Sequence, residues 1–380
     1  MDQPPSFEFQ LQAAVATPWG EARAAALRTP HGVIHTPAFM PVGTHGAVKA
    51  LTWPQLRDTG AEIVLANAFH LYLRPGHEAI ARAGGLHGWM NWQAPILTDS
   101  GGFQAFSLAK IREVTDDGVR FQDPRNGDTH FLGPRESMAI QNALGADIIM
   151  AFDECPPANA SREYVAASLD KTHRWLAACV THHARPAEQA LFPIVQGGLF
   201  EELRAESAVF ASQFAGCGVA IGGVSVGESR EDVNRIVAHT APLLPRDKAR
   251  YLMGVGTPQD LLCAIARGID MFDCVMPTRI ARHGSFFSAQ GRRILKNAEF
   301  AEDPGPLEAG CDCYTCRHHS RAYVQHLIRL GEWTAFTLIS IHNIAFLVRL
   351  AQDARAAILA GTFDAFFERH MTGLRDPSCE

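Results

Sequence analysis

Two aspartates in this sequence combine the features of a reactive pair of carboxylates. Asp99 follows the apolar run Pro95–Thr98 and precedes glycines in ILTDSGGFQ, while Asp273 lies in the largely apolar stretch MFDCVMPTR. Displacement at an anomeric carbon uses two such groups, because one carboxylate attacks or stabilises the oxocarbenium-like centre while the other moves protons. The two aspartates therefore predict chemistry at a glycosidic bond.

A second set of residues suits recognition of a heterocyclic base. A carboxylate such as Asp153 accepts two hydrogen bonds, and an amide such as Gln196 both donates and accepts, a combination that suits the edge of a guanine-like base. Backbone N–H groups freed by Gly222-Gly223 are suited to meet a carbonyl oxygen. Phe103 and Met253 are of the types that stack on a ring, although single residues of these types more often lie in a core.

The elements that must position these groups are short apolar runs separated by helix-like segments. Such runs predict a parallel sheet covered on both faces, and eight of them predict a (β/α)₈ barrel, with an open doubly wound sheet as the alternative. In a barrel the polar groups at the strand ends share the C-terminal rim, where barrel enzymes place their chemistry, although each alone is also explained by a turn or a helix cap. The predicted strands are Pro37–Val42, Glu62–Asn67, Pro95–Thr98, Asp147–Phe152, Leu191–Gln196, Gly218–Gly222, Tyr251–Val255 and Ile269–Cys274.

A cluster of cysteines indicates a metal site within an insertion. Cys311, Cys313 and Cys316 have the spacing C-x-C-x₂-C, and a closed tetrahedral site for a structural Zn²⁺ needs one more ligand. The spacing leaves four candidates for that ligand, namely His318, His319, His326 and His342. We predict one catalytic domain over residues 1–380, with an insert at Ser107–Leu132 and a zinc-binding subdomain inserted at about 277–342.

Charge and cysteine usage restrict the partners and the compartment. The 34 Lys and Arg residues against 40 Asp and Glu residues exclude a globally basic nucleic-acid coat. Met276–Asn297 nevertheless holds five basic residues and no acidic one, which favours a phosphate track for nucleic acid over a site for a phosphorylated small molecule. The sequence lacks a signal-peptide pattern and an obvious apolar run of membrane-spanning length, and its nine cysteines suggest no disulfide framework, so we expect a cytoplasmic protein with no membrane partner.

Seven motifs, in order over most of the chain, resemble the queuine/archaeosine tRNA-ribosyltransferase family in its bacterial form. Taken jointly they are highly specific. They are LTDSGGFQ at 97–104, FDEC at 152–155, VQGG at 195–198, IGGVSVGE at 221–228, YLMGVGTP at 251–258, FDCVMPTR at 272–279 and CDCYTC at 311–316.

The resemblance implies a pentosyltransferase with a (β/α)₈ barrel and a zinc subdomain. Such an enzyme replaces guanine at the wobble position of GUN anticodons, in the tRNAs for Asp, Asn, His and Tyr, by 7-aminomethyl-7-deazaguanine in queuosine biosynthesis. By similarity, Asp273 is the nucleophile that forms a covalent ribosyl-enzyme intermediate, and Asp99 is the general acid/base. The target nucleotide must then be flipped out of the anticodon loop.

The resemblance also implies binding roles for other residues. The base is read by Asp153, Gln196 and the amide of Gly223, with Phe103 and Met253 on its faces and with Gly222 and Gly254 beside them. Cys155 and Val226 resemble the bacterial pattern, in which this part of the pocket is tight. Arg279 and Arg282 fall where the family contacts the anticodon loop, and His342 takes the fourth position of one zinc site per subunit of a homodimer.

Three departures from the family pattern bear on detail rather than on the reaction. Val224 stands where many members have leucine, and Ile280 and His283 stand where asparagines are frequent.

Two other functions compete with this one. A barrel hydrolase with a catalytic metal lacks support because no strand end carries a His-x-His pattern, and a non-catalytic tRNA-binding subunit of the same fold is disfavoured because Asp99 and Asp273 are both present.

Overall fold

A three-stranded antiparallel sheet, which the sequence analysis did not predict, precedes the barrel. The computed structural model describes residues 6–107, 112–123 and 125–374, so the predicted insert Ser107–Leu132 lies partly outside the described residues. The sheet is joined to the last long helix, because the Arg355 guanidinium donates to the carbonyl oxygens of Ala25 and Thr36, both at 2.7 Å. Its strands are β1 (Glu8–Thr17), β2 (Gly20–Thr29) and β3 (Gly32–Thr36).

The central element of the described chain is a parallel sheet of nine strand segments that closes on itself. Two segments belong to one strand interrupted at Pro193, whose carbonyl oxygen accepts a hydrogen bond from Ala220 N at 2.8 Å and completes the ring. The predicted (β/α)₈ barrel is therefore confirmed, and the open doubly wound sheet is excluded. The segments are β4 (Ala38–Gly43), β5 (Val64–Ala66), β6 (Ile96–Thr98), β10 (Ile148–Met150), β11 (Ala190–Phe192), β12 (Ile194–Val195), β13 (Gly218–Ile221), β14 (Ala249–Leu252) and β15 (Met271–Cys274).

The core has two layers because successive strand residues face opposite sides. Leu65, Leu97 and Met150 belong to a buried cluster inside the barrel. Their neighbours Val64, Ile96 and Ile149 belong to the cluster between strands and helices. Both faces are apolar, as expected of a parallel sheet covered by helices.

Helices connect the strands and cover the barrel. The first ten described helices are α1 (Trp53–Arg57), α2 (Ala68–Leu73), α3 (His77–Arg82), α4 (Gly85–Met90), α5 (Gly102–Ser107), α6 (Pro134–Leu144), α7 (Arg162–His182), α8 (Glu201–Ser212), α9 (Arg230–Thr240) and α10 (Pro258–Ile265). The five described helices that follow are α11 (Met276–Ala281), α12 (Tyr314–His318), α13 (Arg321–Leu330), α14 (Trp333–Leu359) and α15 (Phe363–Leu374). Short 3₁₀ helices lie at Ala241–Leu243 and Ala298–Phe300.

Two groups of elements interrupt the alternation of strands and helices. The first is an antiparallel sheet of β7 (Arg112–Val114), β8 (Val119–Gln122) and β9 (Thr129–Leu132). The second contains the hairpin of β16 (Ser285–Ser288) and β17 (Gly291–Ile294) with α12 and α13, packed around its own apolar cluster that includes Phe286, Phe300 and Val324. Helix α14 then runs from this second group onto the barrel.

Helix α14 is long and apolar enough to cross a membrane, a feature that the sequence analysis did not single out. It spans 27 residues with a hydropathy of 1.5 in its most apolar window. However, 72% of that window is buried inside the protein, as in the core helix of a soluble protein. The hydropathy of α14 is thus explained by its packing between the barrel and the insertion.

Candidate active site at the C-terminal rim of the barrel

Each side chain predicted to act on a substrate lies at the carboxyl end of a barrel strand. Asp99 follows β6, Asp153 follows β10 and Gln196 follows β12. Gly222 follows β13, and Asp273 is the penultimate residue of β15. Because parallel strands end at the same side of a barrel, these groups share one rim.

Asp99 is a buried carboxyl group held by the segment after β5. Its Oδ1 accepts a hydrogen bond from Ala68 N at 2.8 Å, and its Oδ2 accepts one from the Asn67 side chain. Asn67 is itself oriented, because its Oδ1 accepts from His70 N at 3.1 Å and caps α2. Burial raises the pKa of Asp99 to about 7, and the negative charge of Asp273 contributes to this rise. The group therefore exchanges a proton readily near neutral pH.

Asp273 is fixed through one of its two oxygens. Oδ1 accepts hydrogen bonds from the Tyr251 hydroxyl at 2.6 Å and from Gly254 N at 2.7 Å. Oδ2 accepts no hydrogen bond from the described residues. Burial raises the pKa of Asp273, while these two donors oppose the rise by stabilising the carboxylate. The result is an oriented carboxylate with one oxygen available for reaction.

Asp153 and Gln196 form a joined pair of buried hydrogen-bonding groups. Gln196 Nε2 donates to Asp153 Oδ2 at 2.7 Å, which fixes the orientation of the amide. Gln196 Oε1 then has no hydrogen-bond partner among the described residues although it is buried. Burial raises the pKa of Asp153 to about 6. Since a buried acceptor without a partner is costly, this site is arranged to receive donors from a ligand.

Two glycines after β13 lie against the Gln196 amide. A Cβ at Gly222 would approach Gln196 Nε2 to 2.7 Å, and a Cβ at Gly223 would collide with Gln196 Oε1. Gly223 also has a φ of +62°, a conformation that glycine adopts without strain. Among the described residues, the Gly223 N–H has no hydrogen-bond acceptor, so it is available to a ligand beside the unpartnered Gln196 oxygen.

The other residues predicted to line the pocket lie on the segments that follow the barrel strands. Phe103 lies on α5 and is 44% exposed, so its ring is available for stacking and is not part of the core. Met253 is half-buried and Gly254 is exposed at the end of β14, and Val226 is half-buried after β13. Burial raises the pKa of Cys155 to about 12, so its thiol stays neutral and lines the site as a small apolar group.

Exposed arginines lie on the helix that follows Asp273. Arg279 and Arg282 are one helical turn apart around the end of α11, and neither forms an ion pair with a described carboxylate. Arg293, from the same basic stretch, instead pairs with Glu299 at 2.8 Å. Exposed guanidinium groups that form no ion pair with a carboxylate are able to bind phosphates.

Three thiols and one imidazole converge in the insertion. His342 Nδ1 lies 3.8 Å from Sγ of Cys311, 3.8 Å from Sγ of Cys313 and 3.3 Å from Sγ of Cys316. In a tetrahedral zinc site the S···N separation is about 3.6 Å. His342 Nε2 donates to Phe287 O at 2.8 Å, which directs the Nδ1 lone pair at the thiols. These four residues could hold a metal ion, and of the four candidate histidines only His342 joins the cysteines in the described residues.

A second cluster of possible metal ligands lies away from the rim. His31 Nδ1 and His87 Nε2 lie 2.8 and 3.3 Å from the two oxygens of Asp147, just before β10 begins. The imidazole rings are stacked with centroids 3.5 Å apart and planes 15° apart. Because a metal ion binds imidazole nitrogen in the plane of the ring, one ion cannot be coplanar with both stacked rings. The cluster is better explained as a carboxylate bound by two imidazoles.

Sequence reasoning missed two residues that organise the site. Tyr251 was assigned only to a predicted strand, yet its hydroxyl orients Asp273 from inside the barrel. Arg204 was not considered, yet it is fully buried and donates to main-chain carbonyls of both loops that carry Gln196 and Gly223. A polar or charged residue on the apolar face of its element was the available signal for each.

Comparison with known proteins agrees with this geometry. The profile of the family described as Queuine tRNA-ribosyltransferase matches residues 19–375. The queuine tRNA-ribosyltransferase of Symbiobacterium thermophilum is 54% identical over 362 residues, covering 94% of this chain and 90% of that protein. The protein of the same name from Synechococcus elongatus is 54% identical over 358 residues, covering 94% and 93%, and that from Geobacillus kaustophilus is 52% identical over 351 residues, covering 91% and 92%. The chain belongs to the queuine tRNA-ribosyltransferase family, whose members are transferases that act on tRNA.

Proposed function

We propose that this protein is a tRNA-guanine transglycosylase that exchanges the wobble guanine of GUN anticodons for 7-aminomethyl-7-deazaguanine. The tRNAs would be those for Asp, Asn, His and Tyr, and the reaction would belong to queuosine biosynthesis. The observation that carries the proposal is the pair of unequal carboxylates on the rim. Asp273 has one oxygen fixed and one free, and Asp99 has a pKa of about 7.

In the first half of the reaction, Asp273 Oδ2 attacks C1′ of the wobble ribose. The bond from C1′ to N9 of guanine breaks, its electron pair leaves with the base, and protonated Asp99 gives its proton to that base. The product is a ribosyl ester on Asp273 with free guanine. The raised pKa of Asp99 supports this role, because a carboxyl group of ordinary pKa would hold no proton to donate at neutral pH.

In the second half the incoming base reverses these steps. Ionised Asp99 takes the proton from N9–H, and N9 attacks C1′. The bond from C1′ to the ester oxygen breaks and its electron pair returns to Asp273. Two displacements on one carbon give net retention of configuration, and the departure of the first base before entry of the second gives ping-pong kinetics.

The acceptors and donor beside the carboxylates support a guanine-type base. Guanine presents two neighbouring donors, N1–H and the amino group, next to the acceptor O6. The unpartnered Gln196 oxygen and Asp153 provide acceptors, and the free Gly223 N–H provides a donor. By the family resemblance, Cys155 and Val226 would line the part of the pocket that receives a substituent at position 7.

Contacts outside the pocket concern the RNA, the metal and the partner subunit. Arg279 and Arg282 would hold backbone phosphates of the anticodon loop. The Cys₃His cluster would bind one Zn²⁺ per subunit, and such a closed site contributes folding energy rather than chemistry.

We further propose a cytoplasmic homodimer. The free state of each described cysteine supports a reducing compartment.

Exposed aromatic side chains on the insertion support the dimer. The rings of Tyr314 and His319 lie 5.7 Å apart, and those of His319 and Tyr323 are stacked at 5.2 Å. Trp333, at the start of α14, is 80% exposed. Such exposed aromatic groups are typical of surfaces that bind another protein.

Isotope-labelled guanine tests the proposed reaction. We expect label to enter unmodified tRNA with a GUN anticodon, and to enter neither tRNA with an altered wobble base nor tRNA incubated with Asp273→Asn. Wild-type protein should also yield a covalent RNA adduct on denaturing gels. Asp99→Asn serves as the comparison. If folded, zinc-loaded protein binds tRNA but incorporates no label, the alternative of a non-catalytic tRNA-binding subunit is correct.

A further inference from the structure

Arg204, in the first turn of α8, joins the two loops that carry the base-reading groups. It is fully buried, and its guanidinium donates four hydrogen bonds to carbonyl oxygens. Nε donates to Gly198 O at 2.9 Å, Nη1 donates to Val195 O at 3.0 Å and to Gly222 O at 2.7 Å, and Nη2 donates to Gly223 O at 2.9 Å. One side chain therefore fixes the main chain on both sides of Gln196 and at both glycines after β13.

The guanidinium is charged but lacks the usual counter-ion. Burial lowers the pKa of Arg204 to about 10, so the group remains protonated at neutral pH. Among the described residues it forms no ion pair with a carboxylate. A buried charge is tolerated only when its hydrogen bonds are satisfied. Here main-chain carbonyl oxygens accept the hydrogen bonds of the guanidinium. This costly arrangement fixes the directions of particular peptide groups.

The direction of the Gly223 N–H follows from the planarity of the peptide bond. In a trans peptide the C=O of one residue and the N–H of the next point in opposite directions. The Gly222 carbonyl points at Arg204 Nη1, so the N–H of Gly223 points away from the buried guanidinium. This N–H has no acceptor in the described structure. Rotation of this peptide would break the bond to Arg204, so the N–H direction is locked.

We propose that Arg204 is a positioning residue that holds the Gly223 N–H toward the carbonyl oxygen of the bound base. The proposal deepens the proposed function and rests on it, since it concerns how the guanine-type base is distinguished. A lysine at this position keeps the charge but presents a single ammonium, which cannot bind carbonyls of two separate loops in the fixed directions of a guanidinium fork.

Binding of guanine and of 6-thioguanine tests this role without turnover. 6-Thioguanine keeps the N1–H and the amino group but presents sulfur, a weak acceptor, in place of the carbonyl oxygen. We expect calorimetry to show that wild-type protein prefers guanine by about tenfold, the worth of one hydrogen bond. In Arg204→Lys, guanine affinity should fall by about tenfold while 6-thioguanine affinity changes less than about twofold. The ratio of the two Kd values should thus approach one.

The ratio separates positioning from general damage to the fold. Both ligands are measured on the same sample, so partial unfolding lowers the competent fraction equally for both and leaves their ratio unchanged. Arg204→Gln provides the same test if the lysine variant is unstable. Arg235→Lys is the control, because Arg235 also lies beside the start of α8 but pairs with the exposed Glu201 at 2.8 Å, so its ratio should stay at the wild-type value.

Each other outcome is decisive. A ratio that stays at the wild-type value in both Arg204 variants overturns the positioning role while leaving the base-reading site intact. Equal wild-type affinity for the two bases overturns the contact between the Gly223 N–H and the base, and with it this inference. The labelled-guanine exchange then still decides the proposed function independently.

Discussion

The hydroxyl of Tyr251 donates a hydrogen bond to Oδ1 of Asp273 over 2.6 Å from inside the barrel, on the neighbouring strand β14. Gly254 N donates to the same oxygen at 2.7 Å. Because both donors use Oδ1, Oδ2 keeps its lone pairs for an electrophile. Burial and the negative charge of Asp273 raise the pKa of Tyr251 well above its ordinary value, so the hydroxyl remains a donor throughout the working pH range.

Replacing Tyr251 by phenylalanine should slow guanine exchange without unfolding the barrel. The hydrogen bond to a carboxylate is worth about 1.5–3 kcal/mol, so we expect kcat to fall about 10- to 100-fold. Loss of the donor should also raise the pKa of Asp273 further, which moves the acid limb of the pH–rate profile to higher pH. Initial exchange rates between pH 5 and 8 measure both effects.

Tyr72→Phe is the matched control for this substitution. The Tyr72 hydroxyl lies 2.9 Å from His130 Nδ1, next to the small antiparallel sheet rather than Asp273. We expect its kcat and acid limb to match the wild type. An unchanged rate and acid limb in Tyr251→Phe would show that the hydroxyl does not tune Asp273.

The pH dependence of exchange should be bell-shaped with a maximum near pH 7. In the proposed reaction Asp99, whose pKa is raised to about 7, must be protonated to release the first base and ionised to accept the proton of the second. Rates should therefore fall on both sides, and because Asp99 and Asp273 interact, the two limbs report macroscopic values of the pair. Asp99→Asn should lower kcat by about 100-fold or more and leave any residual rate without the alkaline limb.

Linkage gives an independent check on Asp99 through protein stability. Its pKa in the folded protein is raised from 3.8 to about 7, so the folded state binds the proton more tightly than the unfolded state. The contribution of Asp99 to the free energy of unfolding is therefore most favourable below about pH 4. It becomes unfavourable as the pH rises to about 7. Thermal unfolding at pH 5 and pH 8 should show that Asp99→Asn gains stability relative to wild type on going to the higher pH. A constant difference would mean that the Asp99 pKa is not raised.

The barrel strands were predictable because parallel strands buried on both faces are continuous apolar runs. The N-terminal sheet was missed because β2 carries ARAAAL, and alanine has a weak preference for strands and no period-2 contrast. The interruption at Pro193 was likewise not predicted. Proline lacks an N–H and divides the fifth strand into a half that pairs with β10 and a half that pairs with β13.

Within the site, the sequence could identify groups at strand ends but not contacts made by side chains from elsewhere. The fourth metal ligand was left open by spacing, since choosing His342 requires knowing that α14 passes beside Cys311–Cys316. Arg204 was overlooked for another reason, although its place on the apolar face of α8 was an available signal. A charged residue in a helix is normally solvated, and only the tertiary structure places its guanidinium beneath Gly222 and Gly223.

Removal of the metal should weaken RNA binding more than base binding. We expect one Zn²⁺ per chain in purified protein, and Co²⁺ substitution should give thiolate charge-transfer absorption from the three cysteines. Cys313→Ser should lose the metal and lower the melting temperature by several degrees, because the site joins the insertion to α14. The tRNA Kd should then rise while the Kd for guanine changes little, since the residues of the proposed base pocket lie on the barrel rim.

Cys263→Ser is the control for the metal prediction. Cys263 lies on α10 outside the cluster and is partly buried. Its substitution should keep one equivalent of metal and the wild-type tRNA affinity. Full metal content in Cys313→Ser, measured by elemental analysis, would instead mean that these thiols do not hold the ion.

Neutralising Arg279 and Arg282 should weaken tRNA binding through electrostatics alone. Each phosphate that the protein no longer neutralises lowers the slope of log Kd against log salt concentration by about 0.7–0.9, so the double substitution to alanine should reduce the slope by about 1.5. The KM for tRNA should rise while the Kd for guanine stays unchanged, because both guanidinium groups lie outside the proposed base pocket. Arg246→Ala is the control, since Arg246 is exposed but pairs with Glu21 at 2.7 Å on the N-terminal sheet. Equal salt slopes for the double variant and the wild type would place the RNA backbone on another face of the protein.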